Sequence, residues 1–214
     1  MATYKGIDVS FYQGVIDWKK VKAAGIKFAI LKAGGSDSGF YVDKTFSTNY
    51  YRAKDAGIAV GAYYFAGPYF QGKEAGRADA DRFLNIIKGK KFEYPLVIDI
   101  EAQQASRKAG TTEAAIAFCE KLERAGYYAM IYGSDISGFH DRLQLDRLNA
   151  YDKWVAKYSS KPPEYVKKYG IWQHSCKGRV NGIKSYVDLD ISYNNYPAII
   201  KNAGLNGFTK TSKK

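Results

Sequence analysis

Residues 94–101 read Tyr-Pro-Leu-Val-Ile-Asp-Ile-Glu, an apolar run that ends in two acids. Such a run is typical of a strand covered on both faces, as in a parallel sheet. Side chains two residues apart point the same way from a strand, so Asp99 and Glu101 share one face at its carboxyl end. Two carboxylates held together cannot ionise equally well, which raises one pKa. The stretch predicts a proton donor beside an anion, as glycosidic bond cleavage requires; the plainer alternative is a strand end followed by an acidic loop.

One sequence pattern occurs three times. Residues 21–31, 53–63 and 122–132 each run from a helical pattern into Ala-Gly and then directly into an apolar strand. Glycine just past a helix adopts the left-handed cap conformation at little steric cost. Alternating helices and buried strands predict parallel β/α units.

These units predict one irregular (β/α)-barrel of about eight strands, in the α/β class. The second half of the chain leaves little room for helices, because Pro162-Pro163 and the hairpin signal Asn181-Gly182 indicate loops between the later strands. Such a barrel holds its chemistry at the carboxyl ends of its strands. The predicted strands are 5–9, 27–32, 60–65, 96–101, 128–132, 153–156, 170–173 and 186–191, and the predicted helices are 17–24, 43–56, 73–88, 112–125, 145–150 and about 197–202.

The composition is that of an ordinary globular domain. At 214 residues, with 46% hydrophobic and 25% charged residues, the chain is long enough for one large domain. It has no run of 18 apolar residues, so no membrane span is predicted. The net charge of +12 fits a polyanionic partner such as nucleic acid, a membrane surface or an anionic cell wall, or simply a solvated surface.

Cysteine and histidine are too few for a disulfide framework or a zinc site. Cys119 and Cys176 are expected to be free, with Cys119 buried on the apolar side of a helix. His140 and His174 lack metal-ligand spacing, and the sequence has no loop of the P-loop type. We therefore expect neither a metal nor another cofactor.

Acids and aromatic side chains also occur at the ends of other predicted strands. Asp8 ends the first strand, and Asp188 and Asp190 end the last on one face. Because strand ends of a barrel converge, these acids are expected to meet Asp99 and Glu101 at one mouth. Aromatic faces stack on sugar rings while polar groups bond to hydroxyls, so the mouth is predicted to bind sugar. Further candidates there are Tyr63, Tyr132, Trp154 and Gln173.

Seven pieces of sequence stand in a characteristic order between roughly residues 4 and 196. They are Gly-Ile-Asp-Val-Ser at 6–10 with Gln-Gly at 13–14, Ile-Asp-Trp at 16–18 with Phe-Ala-Ile-Leu-Lys-Ala at 28–33, Val-Gly-Ala-Tyr at 60–63 with Phe65, Ile-Asp-Ile-Glu at 98–101, Trp-Val-Ala at 154–156 with Tyr158, Ile-Trp-Gln at 171–173, and Val-Asp-Leu at 187–189. With these pieces the chain resembles the glycoside hydrolase family 25 lysozymes, and in particular the catalytic domain of a phage endolysin or an autolysin. That family has an irregular barrel whose last strands lack helices.

The chain departs from the family pattern at three positions. Tyr64 stands where the family usually has His, so substrate contacts could differ there. Asp190 stands where Asn is common, which makes it a second candidate beside Asp188 for the site. His174 stands where another aromatic residue is more usual.

The resemblance implies hydrolysis of the β-1,4 bond between N-acetylmuramic acid and N-acetylglucosamine in peptidoglycan. Glu101 would be the general acid that protonates the leaving oxygen. Asp99 would stabilise positive charge on the sugar or on an acetamido group attacking from within the substrate, which is the preferred hypothesis. Asp8 and Asp188 would hold the network of site acids in place or orient water. The expected substrate-binding residues are Tyr63, Tyr132, Trp154, Gln173 and Asp190.

A non-catalytic barrel that binds carbohydrate or cell wall is the main alternative, although such a protein is expected to lose one of the acids. Nucleic-acid binding would explain the charge, yet no helix concentrates Lys and Arg on one face and no nucleic-acid-binding motif is visible. The expected partners are therefore peptidoglycan glycan strands and anionic wall polymers, with no nucleic acid or membrane, and the domain is expected to act as a monomer.

Residues 1–203 are predicted to form the catalytic domain, and residues 204–214 a polar, lysine-rich linker or tail. The first residues lack a charged lead followed by an apolar core, so no signal peptide is expected. These features predict a protein made in the host cytoplasm that acts at the bacterial cell wall, and a chain that could be cut from a longer endolysin.

Overall fold

Helices and strands alternate through most of the chain in the computed structural model, which describes residues 2–210. The strands are β1 (Tyr4–Val9), β2 (Phe28–Gly35), β3 (Tyr41–Val42), β4 (Ala59–Phe65), β5 (Leu96–Asp99), β6 (Ala129–Ser134), β7 (Asp152–Ala156), β8 (Ile171–Gly178) and β9 (Val187–Ser192). The α-helices are α1 (Trp18–Ala23), α2 (Phe46–Asp55), α3 (Gly72–Ile87), α4 (Lys108–Arg124) and α5 (Tyr196–Ala203), and the helix predicted at 145–150 is a short 3-10 helix, Leu145–Leu148. Within residues 2–210, none of these helices is both long and apolar enough to cross a membrane.

The strands close into a barrel in the order β1-β2-β4-β5-β6-β7-β8-β9, and β9 completes the ring by pairing with β1. From β1 to β8 the neighbours run parallel. The short β3 pairs antiparallel with the end of β2 and lies outside the ring. The predicted irregular barrel is confirmed, whereas β3 was missed because a strand of 2 residues carries no periodic pattern.

The last strand of the barrel runs against both of its neighbours, β8 and β1. A parallel strand needs a crossover of about a dozen residues or more, and the loop between β8 and β9 is shorter and turns at Gly182 with a φ of 104°. The expectation that Asp188 and Asp190 lie at the end of a strand is therefore wrong. Asp188 lies near the start of β9, opposite Asp8, while Asp190 lies deeper in the barrel, opposite Gly6.

Three glycines make the predicted joins from helix to strand. Gly25, Gly57 and Gly126 follow α1, α2 and α4, with φ angles of 89°, 73° and 83°. Glycine adopts this left-handed region at little cost because it has no Cβ to clash with the backbone. Each join turns the chain directly into β2, β4 or β6, which confirms the repeated β/α unit.

Two apolar cores fix the barrel. The larger lies between the barrel and its helices, where Phe83 of α3 and Phe118 of α4 stack with ring centroids 5.8 Å apart. The smaller fills the barrel interior, where Phe28 stacks on Tyr94 at 4.2 Å. Helix α5 follows β9 and packs Tyr196 against this inner core. Tyr196 contacts the rings of Tyr94 and Tyr128, which precede β5 and β6, so α5 covers the amino-terminal end of the barrel and leaves the carboxyl end open.

The segment after α5 packs onto the barrel and extends the domain beyond the predicted boundary at residue 203. Asn206 is fully buried, and its side-chain amide donates to the carbonyl oxygens of Phe92 at 3.1 Å and Tyr94 at 2.9 Å. Its Oδ1 accepts from the backbone N–H of Tyr128 at 2.7 Å. Phe208 contacts the inner core. Residues 211–214 of the predicted tail lie outside the described residues.

We expect Asn206→Ala to lower the free energy of unfolding by about 2–4 kcal/mol, because two buried backbone carbonyls and one partly buried N–H lose a hydrogen bond. A chain ending at residue 203 is expected to lose at least as much relative to a matched chain ending at residue 210. Denaturant unfolding of the three proteins measures this. Equal stability of all three would show that the segment does not anchor the domain.

Candidate active site

The open end of the barrel carries two adjoining cavities that meet at Glu101. One, of about 280 Å³, is lined by residues that include Asp8, Tyr63 and Asp188. The other, of about 540 Å³, is lined by residues that include Tyr132. Together they form a groove across the barrel mouth, with the exposed Glu101 between its two halves. An open groove suits a long, chain-like ligand, whereas pockets for small molecules enclose most of the ligand surface.

A larger cavity, of about 820 Å³, lies on the outer wall of the barrel between residues 15–20, the end of α2 and the β8–β9 loop. Its two acids, Asp17 and Asp55, are exposed to solvent. None of the residues predicted for the site lines this cavity. We therefore place the site by the chemistry of its side chains, at the barrel mouth, and not by cavity size.

Asp99 and Glu101 lie close enough for their charges to interact, although β5 ends at Asp99 and not at residue 101 as predicted. Asp99 ends β5 and is 4% exposed, while Glu101 follows it and faces the groove. Burial raises the pKa of Asp99 well above its usual value, and the charge of Glu101 adds to this, while Lys32 opposes it. The walls of the groove partly shield Glu101 from water, and this desolvation raises its pKa; the charge of Asp188 adds to the rise, while Lys32 and Arg142 oppose it. A carboxyl group that keeps its proton to unusually high pH is suited to donate it.

Asp8 is held by a hydrogen-bond network beneath the groove. Its Oδ2 accepts from Nε2 of Gln173 at 2.7 Å. The Oε1 of Gln173 in turn accepts from the hydroxyls of Tyr132 at 2.9 Å and Tyr158 at 3.0 Å. Opposite Asp8 across the β1–β9 pair lies Asp188, whose pKa is raised by burial to about 6. The geometry thus brings the four predicted acids to one end of the barrel.

Three of the predicted substrate-binding residues lie beneath the groove and not on its surface. Trp154, Gln173 and Asp190 are only 1%, 3% and 1% exposed. Nε1 of Trp154 donates to Oδ1 of Asp190 at 2.8 Å. A sugar in the groove cannot touch these side chains without a rearrangement, so they support the floor. Tyr63 and Tyr132, by contrast, line the groove.

Tyr64 points away from the groove, because successive side chains of β4 face opposite sides and Tyr63 faces inward. Tyr64 is fully buried in the outer core beside Phe83, and its hydroxyl donates to Oδ1 of Asp79 at 3.2 Å. The expectation that this departure from His alters substrate contacts is therefore corrected. At the other departure, His174 is partly exposed and packs its ring edge against Trp172 at 5.6 Å.

Lys32 is a site residue to which the sequence patterns assign no role. It lies on β2, is 9% exposed and lines the same cavity as Asp8 and Glu101. Its Nζ lies 4.4 Å from the ring centroid of Phe65 and 5.9 Å from that of Tyr63, so aromatic faces stabilise its charge. A lysine within an otherwise apolar, fully buried strand was the available signal, since an isolated charge there needs a partner inside the fold.

Within residues 2–210, no three His, Cys, Asp or Glu side chains are arranged to hold a metal ion. Cys119 is a buried free thiol and Cys176 a partly exposed one. Burial raises the pKa of the Cys119 thiol well above its usual value, which leaves it unreactive.

Acids with raised pKa values, set among tyrosines at the carboxyl end of a β/α barrel, define the class as a glycoside hydrolase. The pattern of the glycosyl hydrolases family 25 matches residues 7–183, and the chain belongs to that family. Over 211 residues it is 32% identical to Lysozyme M1 of Streptomyces globisporus, covering 86% of this chain and 66% of that protein.

Two solved structures share the fold. The CTP1L endolysin superimposes with a TM-score of 0.80 at 30% identity, over 93% of this chain and 70% of that chain. A family 25 glycosyl hydrolase from Bacillus anthracis superimposes with a TM-score of 0.77 at 28% identity, over 92% of each chain.

Proposed function

We propose that the chain is a lysozyme that hydrolyses the β-1,4 bond between N-acetylmuramic acid and N-acetylglucosamine in peptidoglycan and so lyses the bacterial cell wall. The observation that carries the proposal is Glu101, a carboxyl group of raised pKa at the centre of an open groove. Family membership supports it, since relatives of this chain include an autolytic lysozyme of Clostridium acetobutylicum, 28% identical over 190 residues.

Glu101 acts as the general acid. Both carboxyls of the Asp99–Glu101 pair have raised pKa values, and a proton on such a pair belongs to the pair as a whole. The two acids differ in their access to a sugar in the groove, because Glu101 faces the groove while Asp99 is buried behind it. Glu101 passes its proton to the glycosidic oxygen as the bond to the leaving sugar breaks.

The remaining acids act on the other side of the reacting sugar. Asp99 in its anionic form stabilises the positive charge that develops on the sugar or on its attacking acetamido group. Asp8 and Asp188 hold the network and orient the water that completes hydrolysis. Tyr63 and Tyr132 contact the sugar from the walls of the groove. Participation of the acetamido group gives a product that retains its anomeric configuration; an inverted product, seen by proton NMR, would exclude it.

Identification of the new reducing ends tests the proposed bond. Purified peptidoglycan is digested, the new ends are reduced with borohydride, and the fragments are analysed by mass spectrometry. Reduced muramic acid is the expected end. Reduced glucosamine would instead show that the enzyme cleaves the other glycosidic bond of peptidoglycan, with the same barrel and the same acids. No new end on several types of wall would favour the non-catalytic carbohydrate-binding barrel.

The basic surface is proposed to meet anionic wall polymers. With a net charge of +12, the protein is expected to lyse whole cell walls more slowly as the salt concentration rises from roughly 50 to 500 mM, because salt screens long-range attraction. A short soluble glycan, which carries no wall polymer, serves as the control and is expected to be hydrolysed at a nearly constant rate. Equal salt dependence for both substrates would contradict the proposal.

A further inference from the structure

The carboxyl groups of Asp8 and Asp190 lie in hydrogen-bonding contact inside the barrel. Asp8 is 7% exposed and Asp190 is 1% exposed, so little water reaches either group. Asp190 lies on β9 directly opposite Gly6 and diagonally across from Asp8, which is two residues farther along β1. Two charged carboxylates in contact at this depth would repel each other strongly.

The neighbouring hydrogen-bond donors reach some of the carboxyl oxygens of Asp8 and Asp190, but within residues 2–210 one buried oxygen receives no hydrogen bond. Oδ1 of Asp190 accepts from Trp154, and Oδ2 of Asp8 accepts from Gln173. The two tyrosine hydroxyls that donate to the oxygen of Gln173 favour this orientation of its amide, with Nε2 towards Asp8. Oδ2 of Asp190 is buried and has no donor among the described residues. A proton between the two carboxyls satisfies this oxygen and removes the repulsion.

The groups that face the pair favour such a proton. The charge of Asp188, two residues before Asp190 on β9, raises the pKa of both carboxyls. Tyr94, before β5, faces Asp190 as a neutral phenol. Lys32 lines the same cavity as Asp8, but the largest causes of the raised pKa values of the two carboxyls are burial and the neighbouring acids. Burial raises the pKa of Asp190 to about 8, against the opposing hydrogen bond from Trp154.

We propose that Asp8 and Asp190 share one proton, and that Asp190 is the positioning residue that holds Asp8 against Gln173 beneath the groove. An asparagine at position 190 would supply an amide hydrogen to Asp8 that cannot be lost. In this chain the same hydrogen is a titratable proton, and its loss leaves two like charges in contact. The role of Asp8 in hydrolysis rests on the proposed function, but the shared proton does not.

Carboxyl titration by carbon-13 NMR tests the shared proton without any assay of activity. Aspartate is labelled at its carboxyl carbon, and Asp190→Asn and Asp8→Asn identify the two signals. The pair is expected to lose its last proton well above the usual aspartate range, because burial raises the pKa of both carboxyls. In Asp190→Asn, the pKa of Asp8 is expected to fall. If both carboxyls are ionised by pH 6, or if Asp8 titrates identically in the variant, the inference is wrong.

Thermal unfolding gives a second readout. The pKa of Asp190 in the folded protein lies above its unfolded value, so the folded protein binds more protons and this group's contribution to stability falls as pH rises through that window. The Asp190→Asn variant has no titrating group at this position and therefore lacks this pH-dependent contribution to stability. The Tm of the variant minus that of the wild type is therefore expected to increase from pH 5 to pH 9. A difference that stays constant would contradict a shared proton.

Activity then connects the pair to the site. Asp190→Leu is expected to lower kcat on peptidoglycan by about tenfold or more, since Asp8 is no longer held in place, whereas Asp190→Asn restores most of it. Equal losses in the two variants would remove the positioning role. If Asp190→Leu does not fold, the NMR titration and the Tm difference still test whether Asp8 and Asp190 share a proton. A titrating pair in a protein without lytic activity would refute the proposed function and leave the shared proton standing.

Discussion

Glu101→Gln is expected to lower kcat on peptidoglycan by roughly 10²- to 10⁴-fold, the usual contribution of general acid catalysis. Glutamine is nearly the same size but has no acidic proton for the leaving oxygen. Glu101 is exposed to the groove, so the substitution leaves the packing of the barrel unchanged. It also removes an acid from a cluster of acids, and the Tm is therefore not expected to fall. Release of dye from labelled peptidoglycan measures the rate.

The matched control is Glu74→Gln. Glu74 lies on α3, its side chain is 87% exposed, and it pairs with Arg77 on the outer surface. This variant is expected to keep the activity and stability of the wild type, since exposed ion pairs contribute roughly 0–1 kcal/mol. If Glu101→Gln kept more than a tenth of wild-type activity, Glu101 would not be the general acid.

Lys32→Met is expected to move both limbs of the pH–activity profile to higher pH by about one unit. The charge of Lys32 opposes the rise in pKa of Asp99 and of Glu101, so its removal raises both values further. Activity needs Asp99 ionised and Glu101 protonated. At pH below the optimum the variant therefore loses activity as Asp99 takes up its proton, and at pH above the optimum Glu101 keeps its proton longer.

Methionine preserves the apolar length of lysine among the aromatic rings, so a general loss of packing is not expected. Lys32→Arg keeps the charge and is expected to keep the profile near that of the wild type. A Lys32→Met enzyme that is merely slower at every pH, with both limbs in place, would assign Lys32 to substrate contact and not to the pKa values of the acids.

The barrel could be predicted because its signals are local. The Ala-Gly joins at Gly25, Gly57 and Gly126 mark where helices end, and the apolar run before Asp99 is long enough for a buried strand. The residues of β9 do not reveal that it runs antiparallel to its neighbours, because alternation of side chains is the same in a parallel and in an antiparallel strand. The short loop before it, with its turn at Gly182, was the better guide.

Depth within the barrel was the main property that the sequence could not supply. Strand alternation correctly places Trp154, Gln173 and Asp190 on the inner face, but only the stagger of neighbouring strands decides which layer reaches the mouth. The end of the domain was missed for a similar reason. Asn206 lies in a polar segment typical of a linker, and its three hydrogen bonds go to backbone groups far away in sequence.

The central claim is that the proton held by Glu101 is the one used in hydrolysis. Carbon-13 NMR of protein labelled at the glutamate carboxyl carbon, with Glu101→Gln to identify the signal, measures its pKa in the free enzyme. We predict a pKa above the usual 4.5 that coincides with the alkaline limb of kcat/KM on peptidoglycan. A Glu101 that titrates at or below its usual value, or an alkaline limb unrelated to it, would contradict the account.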